Sequence, residues 1–205
     1  KAFDEVRSLF ASERDALRRG LTPGHFSFNT TGGRCDRCEG SGVEKLEMYF
    51  FEDIYAICEA CDGKRFKPDV LSIRYRGKTI HDVLQMTAEE ALGFFSGSPK
   101  LMEKLHLLSS IGLGYLRLGQ SATTLSGGEA QRLKIAAELM SGGGLSRQGS
   151  VPLLSRVDGD RHRLRRSQSP DVLYIMDEPT TGLHVEDIKK LLAMLQKLVD
   201  SGNTV

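Results

Sequence analysis

The sequence predicts an α/β fold that carries a small inserted zinc module, and three observations support it. The apolar run "DVLYIMDEP" is followed by the amphipathic pattern "VEDIKKLLAMLQKLVDSG", the strand-then-helix order of an α/β layer. Four cysteines stand in two C-x2-C pairs, Cys35/Cys38 and Cys58/Cys61. The run "TLSGGEAQR" opens a strong helical pattern over 125–140.

Taken in order, residues 1–20 predict a helix, with Phe3, Val6, Leu9, Phe10 and Leu17 near helical spacing and Gly20 as its stop. From Pro23 to Gly33 the residues are those of loop and short strand. Around the cysteines, "EKLEMYFF" reads as a strand. "VLSIRYRG" alternates apolar and polar residues, which predicts a strand ending in a turn. "TAEEALGFF" opens with Thr87 and has Glu90 three residues on, a capping box before an apolar face. A helix is expected over about 99–110, then a loop marked by Gly112, Gly114 and Gly119.

Segment 141–170 changes character, with six arginines against two aspartates among Gly and Ser. It reads as a solvated surface insertion, the alternative being a basic arm on nucleic acid. The last helix should present Ile188, Leu191, Leu192, Leu195 and Leu198 on one face, with Gly202 just beyond.

The bulk numbers bound the function. With 205 residues and 40% hydrophobic content the chain can form one large or two small domains. A formal net charge of +1 argues neither for nor against a nucleic-acid partner. No apolar run approaches the roughly 20 residues that cross a bilayer, so no membrane is expected. "KAFDEVRSLF" has neither the apolar core nor the cleavage site of a signal peptide. A first residue other than Met, and an end in the apparent approach to a strand, lead us to expect a piece of a longer, cytoplasmic protein. In that compartment paired cysteines favour metal over disulfide.

Nineteen residues separate the cysteine pairs. That arrangement matches a four-thiolate tetrahedral zinc site, closed and therefore structural. Disulfides, buried free thiols and an iron site are the alternatives. Arg34, Arg37, Lys45, Lys64, Arg65 and Lys67 lie nearby, but so do Asp36, Glu39, Glu44, Glu47, Asp53, Glu59 and Asp62, which leaves DNA contact by the module open.

Asp177 and Glu178 end an apolar run, where one carboxylate can hold Mg²⁺ through water and the next can polarise an attacking water. Pro179, Thr180, Thr181 and Gly182 make that pair far more specific. Ser126 and Glu129 form a capping box, which leaves Gly127 and Gly128 to be explained. Free amides at a helix start, with the dipole, form an anion site, so phosphate contact is expected there. Gly77-Lys78-Thr79 imitates the end of a P-loop, but Ser72 occupies the position that needs glycine.

"LSGGEAQR" with "DEPTTGLH" resembles the signature motif, Walker B strand and D-loop of the ATP-binding-cassette family. Within it the chain resembles the UvrA branch, through "PGHFSFNTTGGRC", the cysteine module, "YRGKTIHDVLQMT", "LGQSATTLSGGEAQRLKIAAEL" and "TTGLHVEDI". The resemblance covers nearly everything except 141–170. It implies part of a C-terminal ABC-type cassette. Residues 1–33 would start the signature helical region, 34–68 would be the zinc module, and 69–140 the signature subdomain. The basic insertion would be 141–170, with Walker B, D-loop and a core helix in 171–205.

It further implies that Ser126, Gly127, Gly128 and Glu129 face ATP held by another cassette's P-loop. Asp177 would serve Mg²⁺, Glu178 would be the catalytic carboxylate, and Thr181, Gly182 and His184 would lie in the D-loop. Such proteins are homodimers that bind double-stranded DNA with lesions, load a UvrB-like protein and hydrolyse ATP in excision repair. A resistance or self-protection paralogue would share every motif. A zinc-dependent chaperone would need more C-x2-C-x-G-x-G units than the one in "CDRCEGSG". The P-loop and the switch histidine are absent from these residues, and 141–170 is longer than the connector the family pattern leads one to expect.

Overall fold

The computed structural model describes residues 2–46, 48, 53–141, 173–200 and 202–205. It divides into two compact units, Lys1–Leu105 with Leu116–Gln120, and His106–Tyr115 with Ser121–Val205. Among the described residues the fold is helical with one small sheet. No helix among them is long and apolar enough to cross a membrane.

In the first unit, α1 (Ala2–Ala11) and α2 (Arg14–Arg18) replace the single helix expected over 1–20. The break follows from Ser12, whose hydroxyl donates to the Leu9 carbonyl, and from Glu13, which turns extended at ψ 142°. Serine competing for backbone in this way ends helices without any glycine or proline to announce it. Gly20 does stop the segment, at φ +66°. A 3₁₀ turn, Pro23–Phe26, then brings Phe26 beneath Phe10, with ring centroids 5.5 Å apart.

The sheet is a hairpin, β1 (Val43–Leu46) antiparallel to β2 (Ile54–Ile57), in the register Val43↔Ile57 to Leu46↔Ile54. The strand expected over 44–51 is thus present at its start, while residues 47 and 49–51 lie outside the described ones.

The strand expected in "VLSIRYRG" does not form. Pro68 opens a short helix, α3 (Pro68–Leu71), because its fixed φ suits a first helical turn. Val70 and Ile73, three residues apart, are both buried, a spacing that serves a helical turn. Arg76 (φ +47°) and Gly77 (φ +80°) then make a tight turn, and Tyr75 and Lys78 exchange both backbone bonds across it. The imitation P-loop is this turn, and its Thr79 caps α4 (Ile80–Gln85).

The capping box at Thr87 and Glu90 opens α5 (Ala88–Phe94) as expected. α6 (Pro99–Ser110) follows. Tyr75 packs on Phe10, Phe94 and Phe95 with centroids 5.9–6.0 Å apart, so one aromatic cluster joins α1, the tight turn and α5.

The second unit is built on α7 (Gly127–Ser141) and α8 (Val185–Asp200). Its core holds Ile111, Leu113, Ile135, Ala136, Leu191, Met194 and Leu198. On α8, Leu191 and Leu198 are buried as expected, whereas Leu192 is 55% exposed and Met194 takes its place. The buried strand expected in "DVLYIMDEP" is not formed among the described residues. Leu173 makes one parallel bridge to Thr204, and Leu173 and Ile175 stay 63% and 86% exposed. An apolar run becomes an interior strand only when neighbours flank it, and a single bridge supplies one edge. The expected insertion 141–170 lies outside the described residues apart from Ser141, the last residue of α7.

Candidate functional site

The four cysteines are brought together by two turns of the same construction. Cys35 and Cys38 are followed by Glu39 (φ +51°) and Gly40 (φ +86°); Cys58 and Cys61 are followed by Asp62 (φ +51°) and Gly63 (φ +70°). Each turn therefore needs two successive left-handed residues, which is why glycine occupies the second position. The turns are tied together by Cys35 N–H donating to Arg65 O (2.8 Å), Lys67 N–H to Gly33 O (2.9 Å) and Cys58 N–H to Gly42 O (3.1 Å). Gly40 is pressed so closely on the loop before it that a Cβ would sit 2.1 Å from the Phe28 carbonyl oxygen.

All four sulfurs are buried and lie within 4.8 Å of one another. Cys38 Sγ and Cys61 Sγ are 3.6 Å apart and all four thiols are free. Disulfide sulfurs would stand about 2.05 Å apart, whereas tetrahedral ligands about 2.3 Å from one ion have sulfurs roughly 3.8 Å apart. The donor set fits zinc. The thiols differ in acidity: burial pushes Cys38 up, but backbone N–H groups of Gly42 and Gly40 outweigh it and bring the thiol to about 7. Burial and the Glu44 carboxylate push Cys58 up to about 12.

The cations around this centre face acids. Arg37 meets Glu44 at 2.7 Å and Glu59 at 3.6 Å, Lys67 meets Asp36 at 2.7 Å, and Lys45 meets Asp53 at 2.7 Å. Arg34 pairs with Glu39 and Lys64 with Asp62. Arg65 lies over the Phe28 ring and donates to Gly119 O. Among the described residues of the module, these cations form ion pairs and packing contacts and leave no unpaired basic stripe.

In the second unit, Ser126 and Glu129 form the expected capping box: Ser126 N–H donates to Glu129 Oε2 (2.7 Å) and Glu129 N–H to Ser126 Oγ (3.3 Å). The Tyr115 hydroxyl donates to Glu129 Oε1, and that bond, with the Ser126 N–H, holds the carboxyl below its ordinary range. Gly127 is exposed with open space where a Cβ would be. A Cβ on Gly128 would instead reach Arg132 Nη1 and Thr181 O, both at 3.4 Å. Gly127 thus opens onto free space, whereas Gly128 borders the chain's own 177–184 turn at ordinary van der Waals distance.

Asp177, Glu178, Thr181, Gly182 and His184 are all exposed on that turn. Glu178 adopts φ +42°, uncommon for a residue with a side chain, and accepts a bond from Thr181 Oγ1 at 3.1 Å. The His184 carbonyl accepts the Asp187 and Ile188 amides and starts α8. Three neighbours escaped the sequence reading: Tyr115, Gln131 and Arg132. Arg132 carried a legible signal, since it falls one turn before Ile135 and Ala136 on the buried stripe of α7 and is itself only 2% exposed.

No family model matches the chain. It is 48% identical over 205 residues to UvrABC system protein A of Aquifex aeolicus (strain VF5), covering all of this chain and 19% of that protein. To the protein of the same name from Escherichia coli O127:H6 it is 51% identical over 203 residues, again 19% of the relative. Among solved structures it matches UvrA2 from Deinococcus radiodurans with a TM-score of 0.79 and 46% identity, covering 99% of this chain and 22% of that one. The chain therefore spans about a fifth of the length of the relatives it matches.

Proposed function

The chain is UvrA-like over its whole length, and on that premise we propose that it is part of a C-terminal ATPase cassette acting in nucleotide excision repair. The observation that carries this reading is the match at 48–51% identity across 99–100% of the chain. The buried four-thiol cluster supports a structural zinc, held by Cys35, Cys38, Cys58 and Cys61. In this reading residues 34–68 are the zinc module, 69–140 the signature subdomain and 171–205 the Walker B edge.

Ser126, Gly127, Gly128 and Glu129 face ATP bound by another cassette, Asp177 serves Mg²⁺ through water, and Glu178 orients the attacking water. Thr181, Gly182 and His184 belong to the D-loop. The full-length protein is a cytoplasmic homodimer that binds lesion-containing duplex DNA and loads a UvrB-like protein.

The test compares the full-length protein with the isolated 205-residue chain. The full-length protein should hydrolyse ATP and prefer damaged over undamaged duplex, with affinities recorded across salt because phosphate contacts dominate them. The isolated chain should not turn over ATP, because another cassette supplies the phosphate-binding loop. Turnover by the isolated chain at the full-length rate, or a full-length protein that ignores damage, overturns the reading. A second reading is a UvrA paralogue with a resistance or self-protection role, which would share every motif, and a match to a structure named UvrA2 is compatible with it. Complementation of a UV-sensitive strain separates the two.

A further inference from the structure

Two neighbouring side chains on α7 reach the turn that carries the paired carboxylates. The Gln131 carboxamide, with its nitrogen toward the Asp177 carbonyl, donates to Asp177 O and accepts from Asp177 N–H, both at 2.9 Å. It thereby satisfies both backbone groups of that residue, as a neighbouring strand would. Arg132 Nη1 donates to Thr181 O at 3.3 Å, and its Nε is buried with no hydrogen-bond partner among the described residues.

Burying a guanidinium costs several kcal/mol unless its surroundings compensate. Here they include the Thr181 carbonyl and Glu129, one turn earlier on α7, which the Arg132 charge helps keep ionised. Glu129 is itself fixed by Tyr115 and by the Ser126 amide.

We infer that Gln131 and Arg132 clamp the 177–182 turn to the start of α7 and are positioning residues for Asp177 and Glu178. One end of the turn is held at the Asp177 backbone and the other at the Thr181 carbonyl. Between them Glu178 keeps its left-handed backbone and its bond from Thr181 Oγ1. A strained residue persists only where its surroundings over-determine it, and the clamp is what over-determines this one. A displacement of the α7 start, where phosphate would bind, passes directly to the two carboxylates. The catalytic part of this inference rests on the proposed ATPase; the clamp does not.

The experiment uses the full-length protein with Gln131→Ala and, because Arg132→Ala can unfold a core, Arg132→Lys. Hydrogen exchange should rise at least tenfold across 177–184 in Gln131→Ala, with α4 and α5 unchanged. ATP kcat should fall at least tenfold while KM stays within threefold, and Arg132→Lys should retain more kcat than Gln131→Ala. Unchanged exchange at 177–184 overturns the clamp. A loosened turn with normal kcat overturns the positioning role. A wild-type protein without ATPase activity overturns the proposed function and with it that role, while exchange still decides the clamp.

Discussion

Gly127 and Gly128 are adjacent in sequence and differ in surroundings, which makes them the sharpest test of the phosphate reading. Nothing lies within 4 Å of a Cβ built on Gly127, and its backbone is not left-handed. Gly127→Ala should therefore leave the melting temperature unchanged or raise it, since alanine is the better helix former. In the full-length protein the same substitution should slow ATP turnover at least tenfold; unaltered turnover would remove Gly127 from the site. Gly40 is the opposite case, with φ +86° and a carbonyl 2.1 Å from any Cβ. Gly40→Ala should cost about 3 kcal/mol or more, from left-handed strain plus a displaced backbone, read as denaturant midpoint and as lost metal. Glu129 gives a pH dependence. Its folded carboxyl lies below the ordinary 4.5, held there by the Tyr115 hydroxyl and the Ser126 amide. Its contribution to stability is complete above about pH 4.5 and is lost as pH falls through the lower folded value. The melting temperature difference between wild type and Glu129→Gln should be largest near pH 7 and shrink toward pH 3; a constant difference would refute this assignment.

Elements formed where the local signal and the tertiary demand agreed. α5 begins at Thr87 because a side-chain oxygen and a carboxylate three residues on satisfy two orphan amides, a rule that operates within four residues. Thr87→Ala should cost about 1 kcal/mol, seen as a lower denaturant midpoint with an unchanged m-value. The same box at Thr79 and Asp82 opens α4, and was masked in the sequence by its likeness to a phosphate loop. The segment after Pro68 misled because Leu71, Ile73 and Tyr75 alternate with polar residues, while Val70 and Ile73 suit a helical turn followed by a tight turn. Only the pocket that buries Val70 and Ile73 chooses between them. On α8 the expected face held at Leu191 and Leu198 and failed at Leu192, because burial of Met194 in its place depends on what packs opposite.

At the scale of the molecule the four-cysteine cluster is the organising feature of the described residues of 34–67, since the β1–β2 hairpin leaves most of its side chains exposed and four thiols supply its core. Elemental analysis should find one zinc per chain, and fewer than about half an equivalent with reduced thiols would refute the site. Chelation should raise hydrogen exchange across 35–63 while leaving α5 protected, because the aromatic cluster around Tyr75 does not depend on the metal. The candidate site was legible in its parts: cysteine spacing, capping box and paired carboxylates are local patterns set by covalent neighbours. The closeness of the four sulfurs, the ion pairing of nearly every cation beside them, and the hold of Gln131 and Arg132 on the turn were not legible. The sequence by itself determined the four-thiol donor set, the helix starts at Thr87 and Ser126 and the family resemblance, because each depends on residues a few positions apart or on a motif string. Only the tertiary structure decided that "DVLYIMDEP" is not a buried strand among the described residues, that Gly128 borders Thr181, and that a buried arginine reaches the carboxylate turn. Those depend on groups tens of residues apart meeting in space, and no local spacing encodes that.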